Sequence, residues 1–406
     1  MWWAASDSAE HRTATPHPAV TVAATAGALI ALAPSGLPRG AVTESALVAA
    51  LVALCTAIAA VAVRHRPRSR RAGRLTVCLA LPVVVAAVVG NTLWQNLIRT
   101  DLGTGTAGVG YPAAVLAASA GAFAAIVWMS RPVLVAGLVA GAVLAGSFAV
   151  PGRSTAATVH HAPIPADGDL SAAATRLVDG WLGDGGLDRS AVVIAVPTGS
   201  GWVDADAVAG IDARFGGDVE ILTLPYASTT SWRAFVTDPG AAARSAIAVF
   251  DALADAVGRR PPGHRPRIHL YGQSLGALGA DRTREWAEHR HPGMVAGTLL
   301  AGVPADTVAR TSATPRVALA NPSDPVTRWS LASLWRPPTR PDDTRAVGRA
   351  AHTPPWIPVV SFVQTSVDLL TSLDGTAGTG HRYGTEQGAL PTGADTSQPI
   401  GPRAAS

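Results

Sequence analysis

Arg267-Ile268-His269-Leu270-Tyr271-Gly272-Gln273-Ser274-Leu275-Gly276 decides how the C-terminal half of this chain is read. Residues 267–271 form a short run of strand character, and residues 276–289 carry the composition of a helix. Between them Gly272-Gln273-Ser274-Leu275-Gly276 fits G-x-S-x-G, the pattern of a serine carried on a sharp turn between a strand and a helix. On such a turn, side chains two positions to either side of the serine would collide with the crossing backbone. Glycine at both places removes the offending Cβ atoms. The turn lifts the Ser274 hydroxyl above the sheet edge and leaves the N–H of Leu275 beneath it.

The pattern around this stretch agrees with it. Residues 191–196, 219–224, 294–300 and 316–320 read as further strands, and 241–257 and 357–373 as helices. Strands alternating with helices imply a mostly parallel sheet with helices on both faces. In such sheets reactive groups gather beyond the carboxyl ends of the strands, so each strand end is a place to seek chemistry.

A serine hydroxyl is a poor nucleophile at neutral pH and needs a base to take its proton. With this turn the chain order is Ser, then an acid, then His. His289 and His291 end the helix that follows the turn, too early in the order, and His352 precedes Thr353-Pro354-Pro355. His381 follows the Gly-rich stretch 375–380 and is the favoured base. For the acid, Asp324 sits in Asn321-Pro322-Ser323-Asp324-Pro325, just past a strand, where it could orient the imidazole. Asp306, Asp342, Asp343, Asp368 and Asp374 are its rivals. An oxyanion needs two donors. Leu275 N–H is one, and Thr198 or Gly199, in the turn after 191–196, is expected to supply the other.

The N-terminal part is of another kind. The 406 residues are 48% hydrophobic and 15% charged, with a mean hydropathy of +0.26. That composition excludes wholesale disorder. Stretches 45–63, 75–98, 113–129 and 132–150 lack charge and reach or approach the roughly 20 residues a bilayer-spanning helix needs. A weaker stretch, 19–37, is a first span or an uncleaved anchor. Asn91 and Gln95 within 75–98 are expected to hydrogen-bond between helices. All 32 basic residues are Arg. Residues 1–150 hold 10 of them against 4 acids, and the remainder 22 against 24. The basic excess therefore belongs to the apolar part, where it acts as topology charge, and no nucleic-acid partner is expected. Six Arg between Arg64 and Arg74 should keep that loop cytoplasmic. Three spans later, the C-terminal domain would emerge on the outer face of the membrane. Two cysteines, Cys55 and Cys78, exclude a disulfide framework and a cysteine-rich zinc module. His160-His161 has no further ligands at metal spacing and reads as part of a solvated linker. No metal or other cofactor is expected.

The expected organisation is a transmembrane domain of four or five helices over 1–150, a linker over 151–170, a catalytic domain over 171–385 and a flexible tail over 386–406. The combination resembles the actinobacterial membrane-anchored alpha/beta-hydrolase family. The resemblance rests on the 32–39 segment Leu-Ala-Pro-Ser-Gly-Leu-Pro-Arg, on Val196-Pro197-Thr198-Gly199-Ser200-Gly201-Trp202-Val203-Asp204, and on Leu224-Pro225-Tyr226-Ala227-Ser228. It continues through Tyr271–Gly276, Ser323-Asp324-Pro325-Val326, the 356–362 segment Trp-Ile-Pro-Val-Val-Ser-Phe and Gly380-His381-Arg382-Tyr383-Gly384. It implies an α-helical transmembrane bundle followed by an α/β-hydrolase domain, with Ser274, Asp324 and His381 as the catalytic residues. The implied activity is ester or related acyl hydrolysis, with no particular substrate; a lipid or acyl-ester substrate near the membrane is the expected partner. An acyltransferase and a non-catalytic membrane scaffold are the alternatives. Two departures from the family pattern stand out: Gln273 where Glu is expected, and a short 302–316 segment.

Overall fold

The computed structural model describes residues 16–67, 69–128, 159–163, 168–197, 202–226, 238 and 240–391. The chain divides into two compact units. Among the described residues the first contains four helices: α1 (Pro18–Ala31), α2 (Ala41–Ala62), α3 (Arg70–Asp101) and α4 (Gly110–Trp128). The stretch 132–150 lies outside the described residues.

Helices α2 and α3 are long and apolar enough to cross a membrane. Their apolar side chains point outward: Leu54, Ile58 and Val61 on α2, and Leu75, Leu79, Leu81 and Leu93 on α3, are all more than half exposed. The core helix of a water-soluble domain would hide these groups. What this unit buries instead includes polar side chains. Asn91 donates to Leu32 O (3.3 Å) and Glu44 Oε1 (3.1 Å), and Tyr111 donates to Asn91 Oδ1 (2.8 Å). Gln95 Oε1 accepts the Arg39 N–H (2.8 Å), and the Arg39 guanidinium pairs with Glu44 at 3.3 Å. Asn91 and Gln95 thus hydrogen-bond to neighbouring segments of the same unit, which fully desolvated polar groups require.

The second unit is built on a seven-stranded sheet of order β1-β3-β2-β4-β5-β6-β7, parallel throughout. The strands are β1 (Val159–His161), β2 (Ala191–Val196), β3 (Val219–Thr223), β4 (Arg267–Gln273), β5 (Val295–Ala301), β6 (Arg316–Ala320) and β7 (Thr344–Ala346). The helices among the described residues are α5 (Leu170–Gly183), α6 (Ala205–Phe215), α7 (Ala241–Gly258), α8 (Leu275–Arg290) and α9 (Val360–Leu370). Strand alternation divides the core between the two faces. Val192, Ile194 and Val196 of β2 pack with α5, α7 and α8 through Trp181, Phe250 and Ala280. Ala191, Val193 and Ala195 pack the other way, with Ile211 of α6 and with Tyr383 and Leu390. The N-terminal helices and the parallel-sheet α/β unit together give the expected fold class.

Two boundaries differ from the expectation. Residues 159–161 are not linker. They form edge strand β1, in register with Ile221–Thr223. His160 Nε2 lies 3.1 Å from Glu220 Oε2, and Arg189 Nε meets the other oxygen at 3.1 Å. Glu220 is buried on β3, and its charge needs these partners. The residues after 385 are not all tail either. Thr385–Gly388 forms a 3₁₀ turn, and Gln387 accepts from Tyr271 Oη at 2.6 Å. A Cβ on Gly210 would come within 2.1 Å of Thr385 O, so α6 and this turn touch through bare backbone.

Candidate active site

Ser274 sits between β4 and α8 at φ 56°, ψ −122°, a conformation strained for any residue with a side chain. Its N–H is anchored to Ala301 O at 2.9 Å. The glycines work as the motif requires. A Cβ on Gly272 would meet Gly276 O at 2.2 Å, and one on Gly276 would meet Val196 O at 2.2 Å. Leu275 opens α8, where first-turn N–H groups have no partner within the helix.

Three adjacent strands present their carboxyl ends side by side. Ser274 follows β4, Gly302 follows β5 and Asp324 follows β6. Neighbouring strands lie about 4.8 Å apart, so serine and acid are separated by one strand whose end is glycine. The imidazole of His381 occupies that place. Its Nδ1 lies 2.8 Å from Asp324 Oδ2, and a Cβ on Gly302 would stand 2.4 Å from its Cε1. Gly302 has φ +58°, a second reason for glycine there.

The loop bearing His381 is fastened from several sides. His381 N–H donates to Ser372 O (2.7 Å), and Gly380 N–H donates to Ser323 Oγ (2.9 Å). Asn321 Nδ2 reaches Gly380 O (3.0 Å) and Arg382 O (2.8 Å), bracketing the histidine. Gln273 Nε2 approaches His381 O at 3.4 Å. A glutamate there could not donate to that carbonyl, so the departure at Gln273 has a structural use.

Asp324 is completely buried and well supplied with donors. Val326 N–H reaches Oδ1 at 2.8 Å, and Tyr383 Oη reaches Oδ2 at 2.6 Å beside the histidine. Burial pushes the Tyr383 phenol far above its usual range and the Asp324 carboxylate adds to this, so the hydroxyl stays protonated and donates. An ionised Asp324 can only accept, so Nδ1 carries the ring proton and Nε2 keeps its lone pair. That Nε2 is buried and has no hydrogen-bond partner among the described residues. Ser274 Oγ is not bonded to it; serine and histidine meet the same Ala301–Gly302 backbone from two sides. Such bonds are commonly long before substrate binds.

Asp306, the nearest rival acid in the chain, faces elsewhere. It takes hydrogen bonds from Ser330, Thr339 and Arg336 (2.8 Å). Desolvation raises its pKa, but those bonds outweigh it and bring the value down to about 2. Asp342 pairs with Arg310 and Asp343 with Arg316. Thr198 and Gly199 lie outside the described residues. Among the described residues no group of three or more His, Cys, Asp or Glu could hold a metal ion. Gly302 and Tyr383 escaped sequence reasoning as site residues. Tyr383 lay in plain sight two positions after His381, whereas Gly302 carries no local signal.

A parallel α/β sheet with a strained serine at a strand–helix turn, and an Asp–His pair two strands away, defines the α/β-hydrolase class. The chain belongs to the alpha/beta-hydrolase family, whose model matches residues 162–316 and 310–390. A search of curated proteins found no match.

Proposed function

We propose that this protein is a membrane-embedded serine hydrolase acting on an ester or acyl group near the cell envelope. Ser274 is its nucleophile, His381 its base and Asp324 the acid that orients the base. The observation that carries the reading is the state of His381. One ring nitrogen is held at 2.8 Å by a buried carboxylate, while the other is buried without a partner among the described residues. An orphaned buried polar atom costs about 1–3 kcal/mol. His269 is also buried and without a partner among the described residues, but the ring of His381 is held by a buried carboxylate and lies against the Ala301–Gly302 backbone that anchors Ser274. A base so held keeps its lone pair open for the serine proton.

In the proposed reaction Ser274 Oγ attacks the acyl carbon as Nε2 takes its proton. Asp324 stabilises the resulting imidazolium. The oxyanion is received by Leu275 N–H, where the N-terminal end of α8 adds its dipole. Thr198 or Gly199 supplies the second donor. The imidazolium then protonates the leaving alkoxide, and water releases the acyl group by the same steps. Helices α2 and α3 serve as spans, and the hydrolase unit lies on the outer face, as the arginines from Arg64 to Arg74 direct.

Labelling of membranes containing the full-length protein with a fluorophosphonate probe tests the reading. The wild type is expected to label, and Ser274→Ala to accumulate without labelling. Equal labelling of both would remove Ser274 from the mechanism.

A further inference from the structure

Asp324 Oδ2 receives two hydrogen bonds, one from the imidazole and a shorter one from a phenol. The phenol belongs to Tyr383, which is 1% exposed and stands edge-on to His381, with ring centroids 5.9 Å apart at 87°. Its oxygen is fixed from behind by Asn321 N–H at 3.3 Å. The contrast with Tyr271 is instructive. That equally buried phenol satisfies itself on the neutral amide of Gln387. Tyr383 spends its only proton on the same carboxylate oxygen that must hold the base.

We propose that Tyr383 is a positioning residue, whose hydroxyl fixes Asp324 Oδ2 in the imidazole plane and sets how strongly that oxygen attracts the imidazolium of His381. A donor on a carboxylate oxygen draws off part of its negative charge. With the phenol in place, Asp324 holds the imidazole firmly without trapping it as imidazolium. Without it, the same carboxylate binds the imidazolium more tightly, and the base gives up its proton only at higher pH. Two other charges act on Asp324. Arg328 is buried, with Nη2 3.5 Å from Ser323 O, and Arg340 Nε donates to Thr327 O at 3.2 Å. Both guanidiniums stay protonated in the working pH range, so neither imitates a change made at Tyr383.

The inference rests on the serine-hydrolase reading above. Its test is the pH dependence of fluorophosphonate labelling rate in the full-length membrane protein. In Tyr383→Phe the acid limb, which reports His381, should move up by about one pH unit, and the plateau rate should fall about ten-fold, the scale of one charge-assisted hydrogen bond. Replacement of Tyr383 by 3-fluorotyrosine keeps the shape and the hydrogen bond but makes the phenol more acidic. It should move the limb the other way, to lower pH, and it decides the matter if the Phe variant folds poorly. A limb unmoved in the fluorotyrosine protein, with wild type labelling normally at Ser274, overturns the role of Tyr383 alone. Absence of labelling in the wild type overturns this inference together with the serine-hydrolase reading.

Discussion

Gly302 forms the floor on which the His381 imidazole rests: a Cβ at residue 302 would stand 2.4 Å from Cε1 and 3.0 Å from Asp324 Oδ2. The end of β5 is thus shaped by the absence of a side chain. The histidine can reach back from a residue 79 positions later and lie between the ends of β4 and β6.

Gly302→Ala should therefore damage the site more than the fold. The added methyl pushes the ring out of place, and φ +58° adds strain. A displacement on the order of 1 Å costs roughly 10²-fold in rate. We expect about that loss in probe labelling with a well-formed protein. Labelling at the wild-type rate would show that His381 does not work from this position.

Ser274, His381 and Asp324 should behave as one unit. His381→Ala and the double variant His381→Ala with Ser274→Ala are expected to be about equally inactive, because members of a triad are strongly non-additive. Asp324→Asn leaves the imidazole in the wrong tautomer and should lower turnover by roughly 10⁴. Near-normal turnover of Asp324→Asn on a model ester would mean that another acid orients the base.

His269 makes stability pH-dependent. It lies on β4, 0% exposed, against the Phe215 ring, and neither ring nitrogen has a hydrogen-bond partner among the described residues. Burial, aided by Arg267 and Arg214, lowers its pKa from 6.5 to about 4. With the folded value depressed, protonation favours the unfolded chain. The stability is whole above about pH 6.5 and is lost as pH falls towards 4. At about 1.4 kcal/mol per unit the loss is about 3 kcal/mol. His269→Leu should flatten the decline in melting temperature over that window. An unchanged decline in the variant would assign the acid sensitivity to other groups.

The topology is open to direct measurement. If, as proposed, the 64–74 arginines lie inside and three spans follow them, a reporter active only outside the cytoplasm, fused after residue 405, should be active, and one active only in the cytoplasm silent. The reverse pattern would mean that residues 113–150 do not cross twice.

What could be read from the sequence was what is local. The bounds of β2 and β6 agree with the expected 191–196 and 316–320, because a buried parallel strand is a continuous apolar run. The Ser274 turn was legible because its two glycines and its serine lie within five residues. Strands β1 and β7 were not, since three residues such as Val159-His160-His161 or Thr344-Arg345-Ala346 show no periodicity and become strands only by pairing with a neighbour. Helices α5 and α6 have no strong local signal either. Their Asp169 and Asp204 caps are visible only once the chain is known to turn there. The sequence by itself determined the kind of chain this is, apolar helices followed by an alternating α/β unit with a serine on a strained turn, because periodicity and glycine spacing act over a few residues. Only the tertiary structure decided which aspartate meets His381, that Gly302 makes room for it and that Tyr383 shares its acid. Those relationships are set by the order of strands β4, β5 and β6 in the sheet, which juxtaposes residues 57 to 79 positions apart and leaves no local pattern behind.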